Sequence, residues 1–469
     1  MTTEQEVLLN IVNLLSEAVK KAIADLESEG TLEPEKEAHY SWKVDEFEYT
    51  SEGVKNCKRQ AQLAIKESWW KASVAIAKSV KQSNTYDFTL DWLKSVMEVE
   101  STAAQAIDSL LSKLTNLHIP HNAVTQVELE ELAQSLLKDI LDEPVMNGAR
   151  VALDGIVVLA EKVEFKIADI RIVLRRVERD DLEFDTPAYT PMPTMHAFLD
   201  TPTAILDVEF LGRKMRTIQT RIEQAIAVLR LFKTGSVKYL SYQTRSTSLI
   251  AFGVGGILTA GPLELALTKV VITEDDARWL KGFWEAMLDN LPPRFYEIGN
   301  TSYDYATIAY KRYCDALLHN GVMERRIANA VMTLECLFLK GGETQELLYR
   351  LSIRVARIFS LIGIDPHYVK RTLQEAYRIR SLFVHGDQLS YKTKQKLNVK
   401  YGSINSFLLT LLDYCRMSIL IALMLKKEKG EYVDLIDNAL IDSEETKKLE
   451  RLLNTIKHVI IPATSKEDV

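Results

Sequence analysis

Residues 375–387 read Glu-Ala-Tyr-Arg-Ile-Arg-Ser-Leu-Phe-Val-His-Gly-Asp, and the C-terminal part of the chain is decided by this stretch. A helix ends at Gly386, which places His385 in the last turn, where a terminus frays and side chains face outward. Two arginines precede the histidine, Arg380 with four residues between and Arg378 with six. At about 100° per residue Arg378 shares a helix face with His385, while Arg380 points roughly 140° away. Fraying of the last turn or a partner subunit are two ways to bring Arg380 in, and geometry alone does not choose between them.

Working outward, the segment from Arg325 to Phe338 is an amphipathic helix with one carboxylate, Glu335, beside its apolar stripe. The next helix, from Glu346, puts Arg350, Arg354 and Arg357 in one row at i, i+4 and i+7. Between Glu346 and Lys400 there are eleven Lys or Arg against four Asp or Glu, in a chain of net charge −7, which predicts one basic surface. From Asp275 nearly to the end the pattern is helical, with a polar tail after Pro462.

The middle third has another texture. Val163–Ile167, Ile170–Leu174 and Ala204–Phe210 alternate with period two, prolines cluster between Pro187 and Pro202, and Met215–Phe232 returns to helical spacing. Short β-like runs follow between Val237 and Thr273. The N-terminal third reads as helix: Leu8 to Leu26 keep the 3.6 period behind a Thr3/Glu6 capping box, and Gly30 stops them. An acidic linker (Leu32 to Ala38) precedes helical patterns at Gly53–Lys81, Thr89–Leu114 and Gln126–Leu141. Trp69, Trp70 and Trp92 read as packing residues. The predicted fold is mainly α with a small β-rich (α+β) middle domain and a C-terminal helical bundle. Its three regions are 1–144, 145–300 and 301–469.

Composition narrows the functional classes. With 469 residues the chain is too long for one core, and 47% hydrophobic and 26% charged residues are ordinary for a globular protein. A net negative charge argues against a polycation that coats nucleic acid but leaves room for a local basic groove. Cys57, Cys314, Cys336 and Cys415 lie far apart without zinc spacing, and His118 and His121 flank Pro120, so neither a structural metal nor a disulfide framework is predicted. The start of the chain lacks the pattern of a targeting signal. The longest apolar run, Leu249–Leu267, is broken by glycines, Pro262 and Glu264, so a soluble, cytoplasmic protein without a membrane span is expected. Gly253, Gly255 and Gly256 lack the Lys-Ser/Thr and GxGxxG context of phosphate loops and read as turn residues.

The segments Leu334–Phe338 (LECLF), Tyr349–Phe359 (YRLSIRVARIF) and Tyr377–Asp387 (YRIRSLFVHGD), in this order and spacing, resemble HEPN domains of the Apea-like kind. The resemblance covers about a quarter of the chain. The middle third, with LRRVERDDLE and AIAVLRLFKTGSV, is more distantly similar to sensor-like regions that precede such domains. The resemblance implies a four- to five-helix HEPN bundle with an Arg-x4–6-His motif falling on Arg380 and His385, Arg378 being the alternative at the longer spacing. Ser381 takes the position after the arginine, where many active members carry Asn, Asp or His and Apea-like members often carry Ser. Glu335 and Arg354 match supporting positions, and Arg350, Arg357, Lys392 and Lys394 are the expected RNA contacts.

The implied activity is metal-independent RNA cleavage by an anti-phage, toxin-like effector acting on cellular RNA such as tRNA. No cofactor is implied. The implied partners are the RNA, a second copy in a homodimer or larger ring, and a phage or partner protein as trigger. Attack of a ribose 2′-hydroxyl on its own phosphodiester uses an acid or base titrating near neutrality, histidine's ordinary range, and a fixed cation that arginine supplies bidentately. A structural reading stands beside this one. His385 is also a favourable helix C-cap, the arginine row is also a face paired with acids, and Glu335 is also an ion-pair partner. The corresponding alternative function is an inactive HEPN scaffold that dimerises and binds RNA or protein, or a HEPN toxin modified by a partner enzyme.

Overall fold

Helix dominates the chain, antiparallel sheet fills its middle third, and the C-terminal region is helical throughout. The computed structural model describes residues 3–30, 35–68, 70–96, 126–140, 145–187, 201–212, 216–246, 268–292, 295, 304–318 and 322–461. Trp69, the His118–His121 loop, the Leu249–Leu267 run with Gly253–Gly256, and the tail from Pro462 lie outside them, as do the side chains of Trp70 and Trp92. The chain forms two units. One comprises Met1–Ala152, Lys162–Ile222 and Leu240–Thr259, the other Leu153–Glu161, Glu223–Tyr239 and Ala260–Val469.

In the first unit, α1 (Thr3–Ser28) packs with α2 (Trp70–Lys81), α3 (Asn84–Val96) and α4 (Gln126–Ile140). Between α1 and α2 the helical expectation for Gly53–Lys81 is overturned. Residues 35–68 form a hairpin of β1 (Glu35–Thr50) and β2 (Gly53–Ser68), and helix begins only at Trp70. The linker read from Leu32 to Ala38 likewise ends inside β1. Lys, Gln and Ala in β2 favour helix intrinsically, but Ala61, Leu63 and Ile65 alternate and pair across the ladder with Trp42, Tyr40 and Ala38. Cross-strand pairs contribute about 0.2–1 kcal/mol each, enough to offset a helix preference of tenths of a kcal/mol per residue. Val44 then joins a core with Val177, Leu182 and Ile205.

The strands predicted for the middle third form as β5 (Val163–Ile167), β6 (Ile170–Arg176) and β8 (Ala204–Gly212). They lie antiparallel, in a five-stranded sheet of order β5-β6-β8-β3-β9 with β3 at Val145–Asp154 and β9 at Lys238–Ser246. A three-stranded sheet has the order β2-β1-β7, with β7 at Phe184–Pro187. In the second unit β4 (Ile156–Val158) pairs in parallel with β10 (Val270–Ile272). Gly155, with φ +77°, precedes β4, and a Cβ there would lie 2.1 Å from the Ser236 carbonyl oxygen, so only glycine fits.

The bundle of the second unit runs α6 (Glu274–Leu288), α7 (Tyr305–Leu318), α8 (Met323–Phe338), α9 (Leu347–Leu361), α10 (Pro366–Val384), α11 (Tyr391–Tyr401), α12 (Ile404–Leu425), α13 (Lys429–Ile441) and α14 (Ser443–Ile460). Thr273 and Asp276 form the capping box of α6, Asp365 caps α10 with Pro366 behind it, and Ser390 caps α11. Helix α12 lies against α7, α8, α10, α11 and α14. By length and composition it alone among the described helices is apolar enough to cross a membrane, and 72% of that window is buried within the fold. Its two charges, Asp413 and Arg416, pair at 2.7 Å, which suits a core helix.

A repeated device locks the bundle: a guanidinium from one helix donates to the orphan carbonyls that end another. Arg326 reaches Ala316 and Leu317 at the end of α7, and Arg357 reaches Ala439 in the last turn of α13. Arg416 reaches Ile460 at the end of α14, and also Leu231 and Phe232 at the end of α5 (Arg216–Phe232). The last carbonyls of a helix lack internal partners and carry its negative pole, so each contact satisfies both needs.

Candidate functional site

Helix α10 positions the motif. Its C-terminus is a Schellman turn: the Gly386 N–H donates to Phe383 at 3.1 Å and the Asp387 N–H to Leu382 at 2.9 Å, with Gly386 at φ +82°. His385 is the C-cap, with ψ near 0°, and its side chain is exposed. The helix thus ends one residue before the histidine, and the strict helical projection of Arg380 against His385 stops at Val384.

Arg380 turns toward α8. Its Nη2 lies 3.5 Å from Glu335 Oε2, the guanidinium sits 5.6 Å from the Tyr377 ring centroid, and Nε is buried without a hydrogen-bond partner. Its side chain is 28% exposed, so one edge remains open to an approaching ligand. Burial pushes the Glu335 carboxyl above its usual range, with the Arg380 charge acting in the opposite direction. Burial also raises the Tyr377 phenol. Tyr377 is a member of this cluster that sequence reading missed, although its place one turn before Arg380, at i−3, was visible.

Arg378 is exposed. It donates to the Thr393 hydroxyl at 3.2 Å and lies 4.0 Å from Glu375. Thr393 stands in the first turn of α11 and shares a 2.9 Å hydrogen bond with the capping Ser390 hydroxyl. Arg378 therefore ties the end of α10 to the start of α11, while Arg380 faces Glu335. Ser381 is half-buried, and its carbonyl accepts the His385 N–H at 3.1 Å. Lys392 and Lys394 are exposed on α11, and no hydrogen bond or ion pair engages them among the described residues.

The arginine row of α9 does not form the expected basic surface. Arg354 is 3% exposed and uses all five N–H groups: two to Asp437, two to Glu343 and one to the Phe338 carbonyl that ends α8, all at 2.7–2.8 Å. Arg350 adds a 3.1 Å contact to Glu343, and Arg357 is engaged by Ala439 and Thr446. These arginines knit α8, α9, α13 and α14 together. The spacing of the row did not announce this, because Glu343 lies before the helix, Asp437 lies 83 residues beyond Arg354, and the remaining acceptors are a hydroxyl and backbone carbonyls. All three arginines of the row are paired this way, and unpaired positive charge sits on α11 instead. No group of His, Cys, Asp and Glu able to hold a metal is found among the described residues.

No family model, curated protein or solved structure matches the chain.

Proposed function

We propose that this protein is an endoribonuclease of the HEPN type, with His385 as general acid–base and Arg380, supported by Arg378, as the phosphate-binding cation. The observation that carries the reading is an exposed imidazole at the C-cap of α10, on the same helix as an arginine whose guanidinium is only partly satisfied. In this reaction the ribose 2′-oxygen bonds to phosphorus as its proton leaves to a base. The bond from phosphorus to the 5′-oxygen breaks, and the leaving oxygen takes a proton from an acid. The products are a 2′,3′-cyclic phosphate and a 5′-hydroxyl. Charge growing on the non-bridging oxygens is met by a guanidinium that stays protonated.

In its cellular role the protein is a cytoplasmic effector whose N-terminal and middle regions sense a phage product or partner protein. Cleavage of tRNA or other cellular RNA by a homodimer then halts growth. In one chain Arg380 faces Glu335 while His385 leaves the helix, so we assign each active site to Arg380 of one copy and His385 of another.

The test incubates total RNA with wild type, Arg380→Ala and His385→Ala in EDTA, and then with the two variants mixed. Wild type cuts and each variant alone does not. Random re-assembly makes half the dimers mixed, each with one intact composite site, so the mixture recovers about a quarter of the wild-type rate. Cutting by His385→Ala equal to wild type, or only with added metal, would refute the mechanism, and a silent mixture would refute the shared site. One observation favours a second reading, an RNA-binding scaffold: Glu335 already holds an edge of Arg380. Salt-dependent binding with no cutting by wild type distinguishes it.

A further inference from the structure

The helix after the motif is unusual for its surroundings. Between Asp387 and Asp413 the chain contains no acidic residue and four lysines, although its net charge is −7. Helix α11 buries Thr393 and Leu397 and exposes nearly everything else. Lys392, Lys396 and Lys400 recur at i, i+4 and i+8, so they form one ridge with a rise of ~6 Å per step. Solvated helix faces ordinarily alternate lysine with glutamate at this spacing, because like charges four apart repel. Here the repulsion is left uncompensated; Lys400 lies 4.8 Å from the Tyr401 ring centroid, and Lys392 and Lys396 meet no acid among the described residues. Val399, 89% exposed, lies on the same arc, and Tyr391, 76% exposed, opens the helix about 100° round from Lys392.

We infer that α11 is a track for single-stranded RNA, with the strand's phosphates on Lys392, Lys396 and Lys400 and an unstacked base on Tyr391. The inference rests on the nuclease reading for its direction, since the track starts where Arg378 joins Thr393 and His385 leaves α10. A ridge of cations on one side of a helix follows one backbone, and an exposed aromatic ring offers a face to any base that is not paired. A duplex offers a backbone but no free base face, as its bases are stacked on one another. In-line attack of a 2′-hydroxyl also needs a ribose-phosphate free to rotate, which pairing restrains.

The test uses full-length His385→Ala, so that bound RNA survives, and a fluorescent single-stranded 12-mer with its annealed duplex as control. Affinity is measured across salt concentrations for this protein, for the added triple change Lys392→Gln, Lys396→Gln and Lys400→Gln, and for added Tyr391→Leu. Each lost phosphate contact lowers the slope of log K against log salt by about 0.7 for single strands, so the triple variant loses about 2. Tyr391→Leu weakens binding by about tenfold and leaves the slope unchanged. The duplex binds more weakly than the strand. An unchanged slope in the triple variant, equal affinity for duplex and strand, or full displacement by poly-glutamate at equal charge overturns the track. Thermal melts that match the parent confirm that the exposed substitutions leave the fold intact. The two ideas separate cleanly: a slope loss of two in a protein that never cuts removes the nuclease and keeps the track. Cutting by wild type with an unchanged slope does the reverse.

Discussion

Replacing Glu343 by glutamine tests the network that fixes α9. The Glu343 carboxylate accepts from both Nη atoms of Arg354 at 2.8 Å, from the Lys340 N–H at 3.0 Å and from Arg350 at 3.1 Å, and its side chain is 13% exposed. Hydrogen bonds from Arg354 hold its pKa down at about 2, against an ordinary 4.5. A carboxyl depressed in the folded state contributes stability above its unfolded pKa and loses it as pH falls toward the folded one. A shift of that size corresponds to about 3 kcal/mol at pH 7, falling to about 1.4 kcal/mol at pH 3. Glu343→Gln keeps the shape and removes the charge, so it costs about 3 kcal/mol at neutral pH, or roughly 6–12 °C in Tm for a unit of this size. Comparing wild type with the variant cancels the other acids. The assay is urea unfolding followed by circular dichroism at pH 7, 5, 4 and 3. A penalty that stays constant across that range, or is below about 0.5 kcal/mol at pH 7, would refute the argument that charge pairing, not shape, makes this contact.

Other substitutions separate fold from function. His385→Ala changes unfolding free energy by less than about 0.5 kcal/mol, since the side chain is an exposed cap, so its loss of RNA cutting reports chemistry. Gly386→Ala costs about 1 kcal/mol in chemical unfolding, because φ is +82° and a Cβ meets nothing within 4 Å, while Gly386→Asn costs less. Glu335→Gln raises Tm at pH 7: its raised carboxyl pKa makes the ionised form unfavourable in the fold, and the gain vanishes as pH falls through the unfolded value. Arg354→Met costs about 3–5 kcal/mol by stranding two carboxylates, whereas Arg380→Met costs under about 1 kcal/mol. Equal penalties for those two arginines would make Arg380 an architectural residue.

What could be read from the sequence follows from the range of each interaction. Local signals were legible: the alternation of Val163–Ile167 and Ile170–Leu174, the Asp365-Pro366 start of α10, and Gly386 as its end all act within a few residues. The β1–β2 hairpin was not, because Lys58 to Lys66 carries helix-forming residues whose strand state is set by partners across the ladder. The arginine row was visible as a row, yet its role depends on Asp437, Phe338 and Ala439, which no periodicity joins to it. For the motif, position was legible and direction was not. Arg380 looks toward Glu335 because α8 packs on α10, and His385 escapes the helical projection because the turn unwinds the backbone beneath it.

The contrast among the arginines bears most directly on the proposed chemistry. Arg354 has every donor engaged, and Arg326, Arg357 and Arg416 close helix ends. A guanidinium so enclosed cannot turn to a phosphate without unlocking the bundle. Among the described residues of this unit, Arg380 is the one arginine with an unpaired buried Nε, and the ion-pair partner found for it there sits at a long 3.5 Å, a carboxylate that burial disfavours. Leaving a buried donor unmet costs about 1–3 kcal/mol, which a purely structural arginine in a bundle built on guanidinium caps has no reason to carry. A phosphate oxygen would supply the missing acceptor and a stronger counter-charge than Glu335, so binding and relief of that deficit are the same event. The incompleteness of Arg380, more than its spacing from His385, is what favours a ligand-binding role over an architectural one.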